Sequence, residues 1–373
     1  MISRIFNWGG PLIAIIIIGA CVYYFIAKAP GNVPDITMPT KLIEAQRTGD
    51  VETVVTELEA IRNDPTRNED EKAIATFAAD GAEFQITGKL EDRIKSIRDI
   101  KAVVTNTEVT DRTRALALNV VAASFADTGR SPIVFDEIFK DAPFNQYKVE
   151  GDPEESIRKL YEWSYEIVPT YISAIRISRW YAEQFVFYPD LPANIANQNA
   201  ARAIEFLNNA DSLVVAQSRL DPSMLQSARY IENRHWRAIN IGRLSRQVGQ
   251  PYTNQYKKEY EDYLAFVSAS PNAYAKGSLL YGRYMYAARL FKDNDNVSVK
   301  KQLDILAADL NALENPDTVA FVQFLRNTKS QPAGVNWTFI KDVSEISPTF
   351  RAAVDRLVLS APTNSAPMWN DNY

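Results

Sequence analysis

The 373-residue chain carries one cysteine and one histidine, and that scarcity closes most routes to chemistry before any motif is weighed. Cys21 lies inside an apolar leader, so no disulfide can form in the remainder and cysteine usage is silent about redox compartment. His235 sits in Glu232-Asn233-Arg234-His235-Trp236-Arg237, a Glu-x-x-His pair on one helical face. Carboxylate di-metal bundles need two such pairs, which one histidine cannot supply. A Ser-His-Asp triad would draw on the same His235, with no Gly-x-Ser-x-Gly elbow to present its serine. His235 is therefore expected on a helix surface beside Glu232. Phosphate-loop and dinucleotide fingerprints are missing as well. A carboxylate pair for glycoside cleavage cannot be selected from the 46 Asp and Glu residues by sequence alone. The expectation is a chain that is not an enzyme and holds no metal and no cofactor.

A surplus of positive charge is also lacking. The formal net charge is −5 and the Lys and Arg residues are scattered, which argues against a phosphate-binding face and hence against nucleic acid as partner. Asp293-Asn294-Asp295-Asn296 begins like a calcium loop and then departs from one. Val297 takes the fifth position, Ser298 replaces the glycine and Asp304 stands where glutamate would chelate, so a polar turn between helices is expected.

Long apolar runs are confined to the beginning of the chain. No charged side chain occurs between Ile5 and Ala27, and at about 1.5 Å per residue that window makes a helix of roughly 30 Å, the thickness of bilayer hydrocarbon. Trp8 stands at one end and Tyr23, Tyr24 and Phe25 at the other, with Leu12, Ile15 and Ile18 between, as expected of a membrane anchor over residues 1–28. Two alternatives compete. Ala27-Lys28-Ala29 has the form of a cleavage site, and Ile18-Gly19-Ala20-Cys21 is similar to a bacterial lipobox that would lipidate Cys21. The flanking charges, Arg4 before and Lys28 and Lys41 after, nearly balance. A short leader before one apolar helix matches a signal anchor, with the N-terminus cytoplasmic and the large C-terminal domain extracytoplasmic, in a bacterial envelope.

The remainder reads as all-α. Ile157, Leu160, Tyr161, Ile167, Val168, Tyr171, Ile172 and Ile175 recur at helical steps, with a kink expected at Pro169. Val51, Val54, Val55, Leu58 and Ile61 form a second stripe, and Val297, Leu303, Leu306, Leu310 and Leu313 a third. Helix starts are marked at Asp50, at Asp152 before Pro153 and at Asp221 before Pro222. No alternating run of β-branched residues points to a sheet.

Polar breaks at Gly49-Asp50, Gly88-Lys89, Gly129-Arg130, Gly249-Gln250 and Asp293-Asn294-Asp295 recur at intervals of roughly 40 residues, or about three such intervals, the period of stacked helix pairs. In the second interval Phe77, Gly81 and Phe84 precede the Gly88 turn and Ile97 follows it. This pattern resembles a tetratricopeptide repeat, in which a small residue lets paired helices approach and aromatic rings fill the groove between them. Asp80 stands where that pattern expects leucine, and Arg93 where it expects alanine. Phe125 before Gly129, Ile241-Gly242 before Gly249, and Tyr284 with Phe291 before Asp293 are further fragments. The resemblance covers residues 40–145 and 225–315. It implies a right-handed α-solenoid of helix pairs, a fold that serves protein binding.

The expected organisation is an anchor (1–28), a proline-bearing spacer (29–39), a helical-repeat domain (40–315), a C-terminal helical cap (316–359) and a flexible tail (360–373) that carries Trp369 and Tyr373. The most conspicuous candidate surface is aromatic. Tyr252, Tyr256, Tyr260 and Tyr263 fall at helical spacing, and Tyr281 and Tyr284 lie on the next helix. Such a stripe either lines a binding groove or fills the seam between two helices. Two functions follow as expectations. One is a non-enzymatic scaffold held in membrane lipid and binding other envelope proteins; the other is a glycan- or cell-wall-binding protein that uses the aromatic groove.

Overall fold

The computed structural model describes residues 39–42, 45, 51–87, 89–188, 190–220, 228–270, 273–312 and 342–360. Trp8, Leu12, Ile15, Ile18, Tyr23 and Phe25 of the expected anchor, Cys21, the breaks at Gly49-Asp50 and Gly88, the expected helix start at Asp221-Pro222, Leu313 and the expected tail with Trp369 and Tyr373 lie outside the described residues. No helix among the described residues is long and apolar enough to cross a membrane.

Among the described residues the fold is all-α, with fourteen helices and no strand. They are α1 (Val51–Asn63), α2 (Glu69–Thr87), α3 (Leu90–Thr105), α4 (Asp111–Asp127), α5 (Pro132–Phe139), α6 (Pro153–Ile167), α7 (Tyr171–Ala182), α8 (Gln184–Phe187), α9 (Ala193–Leu220), α10 (Ala228–Val248), α11 (Tyr252–Ala269), α12 (Ala273–Lys292), α13 (Asn296–Asn311) and α14 (Pro348–Ser360), with a 3-10 turn at Phe144–Tyr147. Two compact units are present, one holding described residues 39–220 with Arg243–Gly249 and the other 228–242 with 250–360.

The N-terminal unit is a stack in which each long helix packs on the next long helix along the chain, with the short α5 and α8 set aside. Helix α1 lies on α2, α2 on α3, α3 on α4, α4 on α6, α6 on α7 and α7 on α9, and α2 also touches α4. Asp70 in the first turn of α2 accepts hydrogen bonds from the backbone N–H and hydroxyl of Thr110, the N-cap of α4, at 3.0 and 2.9 Å. Two helix starts 40 residues apart therefore meet side by side. The break at Gly129 uses a left-handed φ of +65°, which glycine adopts without a Cβ penalty, and it turns the chain at the end of α4.

Asp152 caps α6 as expected, its carboxylate accepting from the Glu155 N–H at 2.9 Å with Pro153 in the first turn. Pro169 breaks the helix instead of kinking it. The residue before a proline is pushed toward extended backbone, and Val168 ends α6 at φ −146°, after which the Thr170 hydroxyl caps a new helix, α7, by accepting from Ser173 N–H. The Asn119 amide nitrogen on α4 stands 2.8 Å from Ser164 Oγ on α6 and 3.0 Å from Ser173 Oγ on α7, and this buried polar node stitches the three helices together. Helix α9 buries Ala196, Ala200, Ala203, Phe206, Leu207, Ala210 and Val214, a stripe of mostly small residues.

In the C-terminal unit α11 packs on α12, α12 on α13 and α13 on α14. The stripe on α13 is Val299, Leu303, Leu306 and Leu310, all buried, whereas Val297 is 84% exposed and does not belong to it. Asp295 caps α13 by accepting from Ser298 N–H, which sets the helical phase so that Val297 faces outward and Val299 inward. The polar turn at 293–295 is tied down by its own carboxylates. Asp293 pairs with Arg289 at 3.0 Å and accepts from the Tyr256 hydroxyl, while Asp295 pairs with Lys257 at 2.8 Å.

Candidate functional site: an aromatic and arginine cluster

The tyrosines singled out by their spacing separate into two groups. Tyr256, Tyr260, Tyr263 and Tyr284 are no more than 2% exposed, while Tyr252 and Tyr281 are half-buried. Tyr256, Tyr260 and Tyr263 lie in the α11–α12 seam, Tyr284 packs on the other side of α12 toward Phe350 of α14 with ring centroids 6.4 Å apart, and none of the four presents a face to a ligand. Tyr260 stacks on Tyr286 with ring centroids 4.9 Å apart, and the Tyr263 hydroxyl donates to the Ser278 carbonyl at 3.0 Å. Burial, with the Asp293 carboxylate beside it, pushes the Tyr256 hydroxyl well above its usual range, so it stays protonated and donates to that carboxylate. His235 is 6% exposed, not on the helix surface, with Tyr281 and Tyr263 rings 4.6 and 5.0 Å away. The α10 stripe that carries it continues into the core, which local Glu-x-x-His spacing does not reveal.

Half-buried aromatic surface is gathered elsewhere, in the N-terminal unit, by α6, α7 and α9. Arg158 on α6 lies over the rings of Trp180 and Tyr181 on α7 at 5.1 and 5.7 Å. Its guanidinium is held in place by Glu155, at 2.8 Å from Nε, and by Glu162. Burial alone would lower its affinity for a proton, but these two carboxylates reverse that and fix the positive charge. Tyr181 stacks nearly parallel to Phe206 of α9, with centroids 6.3 Å apart and planes 12° off. Tyr165 meets the same Phe206 edge-on at 5.6 Å, and Arg202 lies 5.7 Å above it. Trp180 is anchored through its indole N–H to the Glu154 carbonyl at 2.9 Å. Tyr165, Trp180 and Tyr181 keep part of their surface in solvent, and Arg202 is about half exposed.

A second half-buried plate stands on the other flank of α6. Trp163 stacks on Tyr147 with centroids 4.7 Å apart and planes 17° off, above the buried ring of Phe144. Burial and the neighbouring Glu166 push the Tyr147 hydroxyl upward, so it remains a neutral donor. Rings fixed by packing, with arginines clamped beside them, are the residue types that dominate protein interfaces, because they contribute large contact area while losing little rotamer freedom.

No periodicity announces this cluster. Tyr165, Trp180, Tyr181 and Phe206 belong to three helices, and only the packing of α6, α7 and α9 brings them together. Among the described residues no group of three or more His, Cys, Asp or Glu side chains is placed to hold a metal ion.

The fold and this cluster define a helical-stack protein with an aromatic face. Compared with family models, with curated proteins and with solved structures, the chain matches none.

Proposed function

We propose that this chain is a non-enzymatic scaffold, tethered to a membrane by its N-terminal segment, that binds other proteins of a cell-envelope assembly through a tetratricopeptide-like helical stack. The observation that carries the reading is the Arg158–Trp180–Tyr181–Phe206 cluster, a rigid aromatic face whose arginine is held by carboxylates, presented by neighbouring helices. Stacked helices of this kind offer extended surfaces, and rings locked by packing bind with little entropic cost. The uncharged Ile5–Ala27 window supports the tether. A glycan groove built on the tyrosine stripe is less favoured, because four of its six rings are interior.

The test is site-specific photocrosslinking in intact cells, with the crosslinker placed in turn at Tyr181, Trp163, Tyr252 and Tyr281, followed by detergent purification and mass spectrometry. The same envelope proteins are expected from Tyr181 and Trp163, and Arg202→Glu should reduce their recovery without unfolding the domain. Recovery of the chain alone from all four positions would overturn the scaffold reading, and retention on insoluble cell wall would favour the glycan reading instead.

A further inference from the structure

The two positions at which the second helix pair departs from the repeat pattern, Asp80 and Arg93, are both buried, at 3% and 2% exposure. Each belongs to a chain of charges that runs through the first four helices. Arg62 of α1 reaches toward three carboxylates: Glu59 at 3.2 Å, Asp80 of α2 at 3.6 Å and Asp99 of α3 at 3.6 Å. Arg93 of α3 pairs with Asp127 of α4 at 2.9 Å and lies over the Phe84 ring of α2 at 5.2 Å. Lys95 of α3 stands 3.8 Å from Glu83 on the same helix as Asp80.

Within this chain Asp80 is poorly satisfied. Its contact with Arg62 is longer than a hydrogen bond, and its Oδ2 has no hydrogen-bond partner among the described residues. A buried carboxylate in this position must be desolvated beside two further acids, Asp99 and Glu59, while one shared arginine and the more distant Arg93 and Lys95 offset the cost.

We propose that Asp80 is a protonation switch that sets how firmly α1 is held against α2 and α3, tight in mild acid and looser toward neutral pH. Burial and then the Asp99 charge push its carboxyl up to about 6, against the opposing pull of Arg62 and Lys95. The folded state thus takes up this proton more readily than the open state. Its stabilising effect is complete below the ordinary carboxylate range, near 3.8, and is lost as pH rises through about 6. A folded value near 6 against an ordinary 3.8 makes local opening of α1 about tenfold more favourable at pH 7 than at pH 5. This switch does not depend on the scaffold proposal, because it resides in helix packing and not in a partner.

The experiment is hydrogen exchange with mass spectrometry on the full chain in detergent at pH 5 and pH 7, read at the α1 amides after correction for intrinsic exchange. The wild type should show about tenfold greater protection at pH 5, and Asp80→Asn, neutral at both pH values, should show none of that difference. Equal protection of the wild type at the two pH values, or an undiminished difference in Asp80→Asn, would overturn the proposal. Arg62→Gln provides the opposite check, should Asp80→Asn not fold. Without that cation Asp80 holds its proton to higher pH, so the pH 5 to pH 7 difference must widen, and a difference that stays the same or narrows would equally reject the switch.

Discussion

Tyr263 of α11 lies flush against Gly282 of α12, so close that a methyl group on Gly282 would stand 2.5 Å from Tyr263 Cε1. The ring cannot swing aside, because it is fully buried and its hydroxyl is committed to the Ser278 carbonyl at 3.0 Å. One glycine and one tyrosine thus set the spacing of the two helices. Gly282→Ala is expected to cost about 1–3 kcal/mol by overpacking the seam. Tyr263→Phe keeps the shape and loses one hydrogen bond, at about 1 kcal/mol. Urea denaturation of both variants checks the order, and an alanine variant as stable as the wild type would mean that the helices can separate without loss.

Glu183, just past the end of α7, is a buried carboxylate clamped by Arg179 at 3.0 Å and Arg243 at 2.7 Å. Burial would raise its proton affinity, yet the two arginines outweigh burial and hold the carboxyl below its usual range. Removing one partner strands a buried charge. Arg243→Ala is expected to lower stability by about 3–5 kcal/mol. The double variant Arg243→Ala with Glu183→Gln should recover part of that loss, and a thermal melt that finds the two changes simply additive would deny the pairing.

Asp304 docks α14 onto α13 by accepting hydroxyl hydrogen bonds from Ser347 and Thr349, both at 2.7 Å. Burial resists its ionisation, but Lys300, Thr349 and Ser347 outweigh that and bring the carboxyl down to about 2. Since the folded value lies below the ordinary 3.8, its contribution is complete above that pH and disappears only as pH falls toward 2. Limited proteolysis should therefore find α14 protected down to about pH 4 in the wild type. In Asp304→Ala the same helix should be cut faster at pH 7, and an unchanged cutting rate would show that apolar packing alone holds it.

Asn119 joins α4 to α6 and α7 through Ser164 and Ser173 at 2.8 and 3.0 Å. Asn119→Ala leaves two buried hydroxyls with fewer partners and a small void. The expected loss is about 2 kcal/mol, measured by chemical denaturation. Ser164→Ala should cost less, because Asn119 retains Ser173.

Helix identity was readable at Asp152-Pro153 and along Leu303, Leu306 and Leu310, where capping chemistry and a three-four apolar rhythm are local properties. The same logic erred at Pro169, where steric pressure on Val168 and the cap at Thr170 combined to end one helix and start another. It erred again at Val297, whose burial depends on a helical phase set by the Asp295 cap.

The sequence by itself determined the all-α character, the roughly 40-residue spacing of polar breaks and the absence of charge between Ile5 and Ala27. Those are properties of composition and spacing along the chain. Tertiary structure alone decided that Tyr256, Tyr260, Tyr263 and Tyr284 are interior, that His235 is buried, and that Arg158, Trp180, Tyr181 and Phe206 share a face. The physical reason is that a helical stripe shows only which residues lie on the same side of one helix. Whether that side meets another helix or solvent depends on which neighbours pack against it, and those neighbours lie tens of residues away.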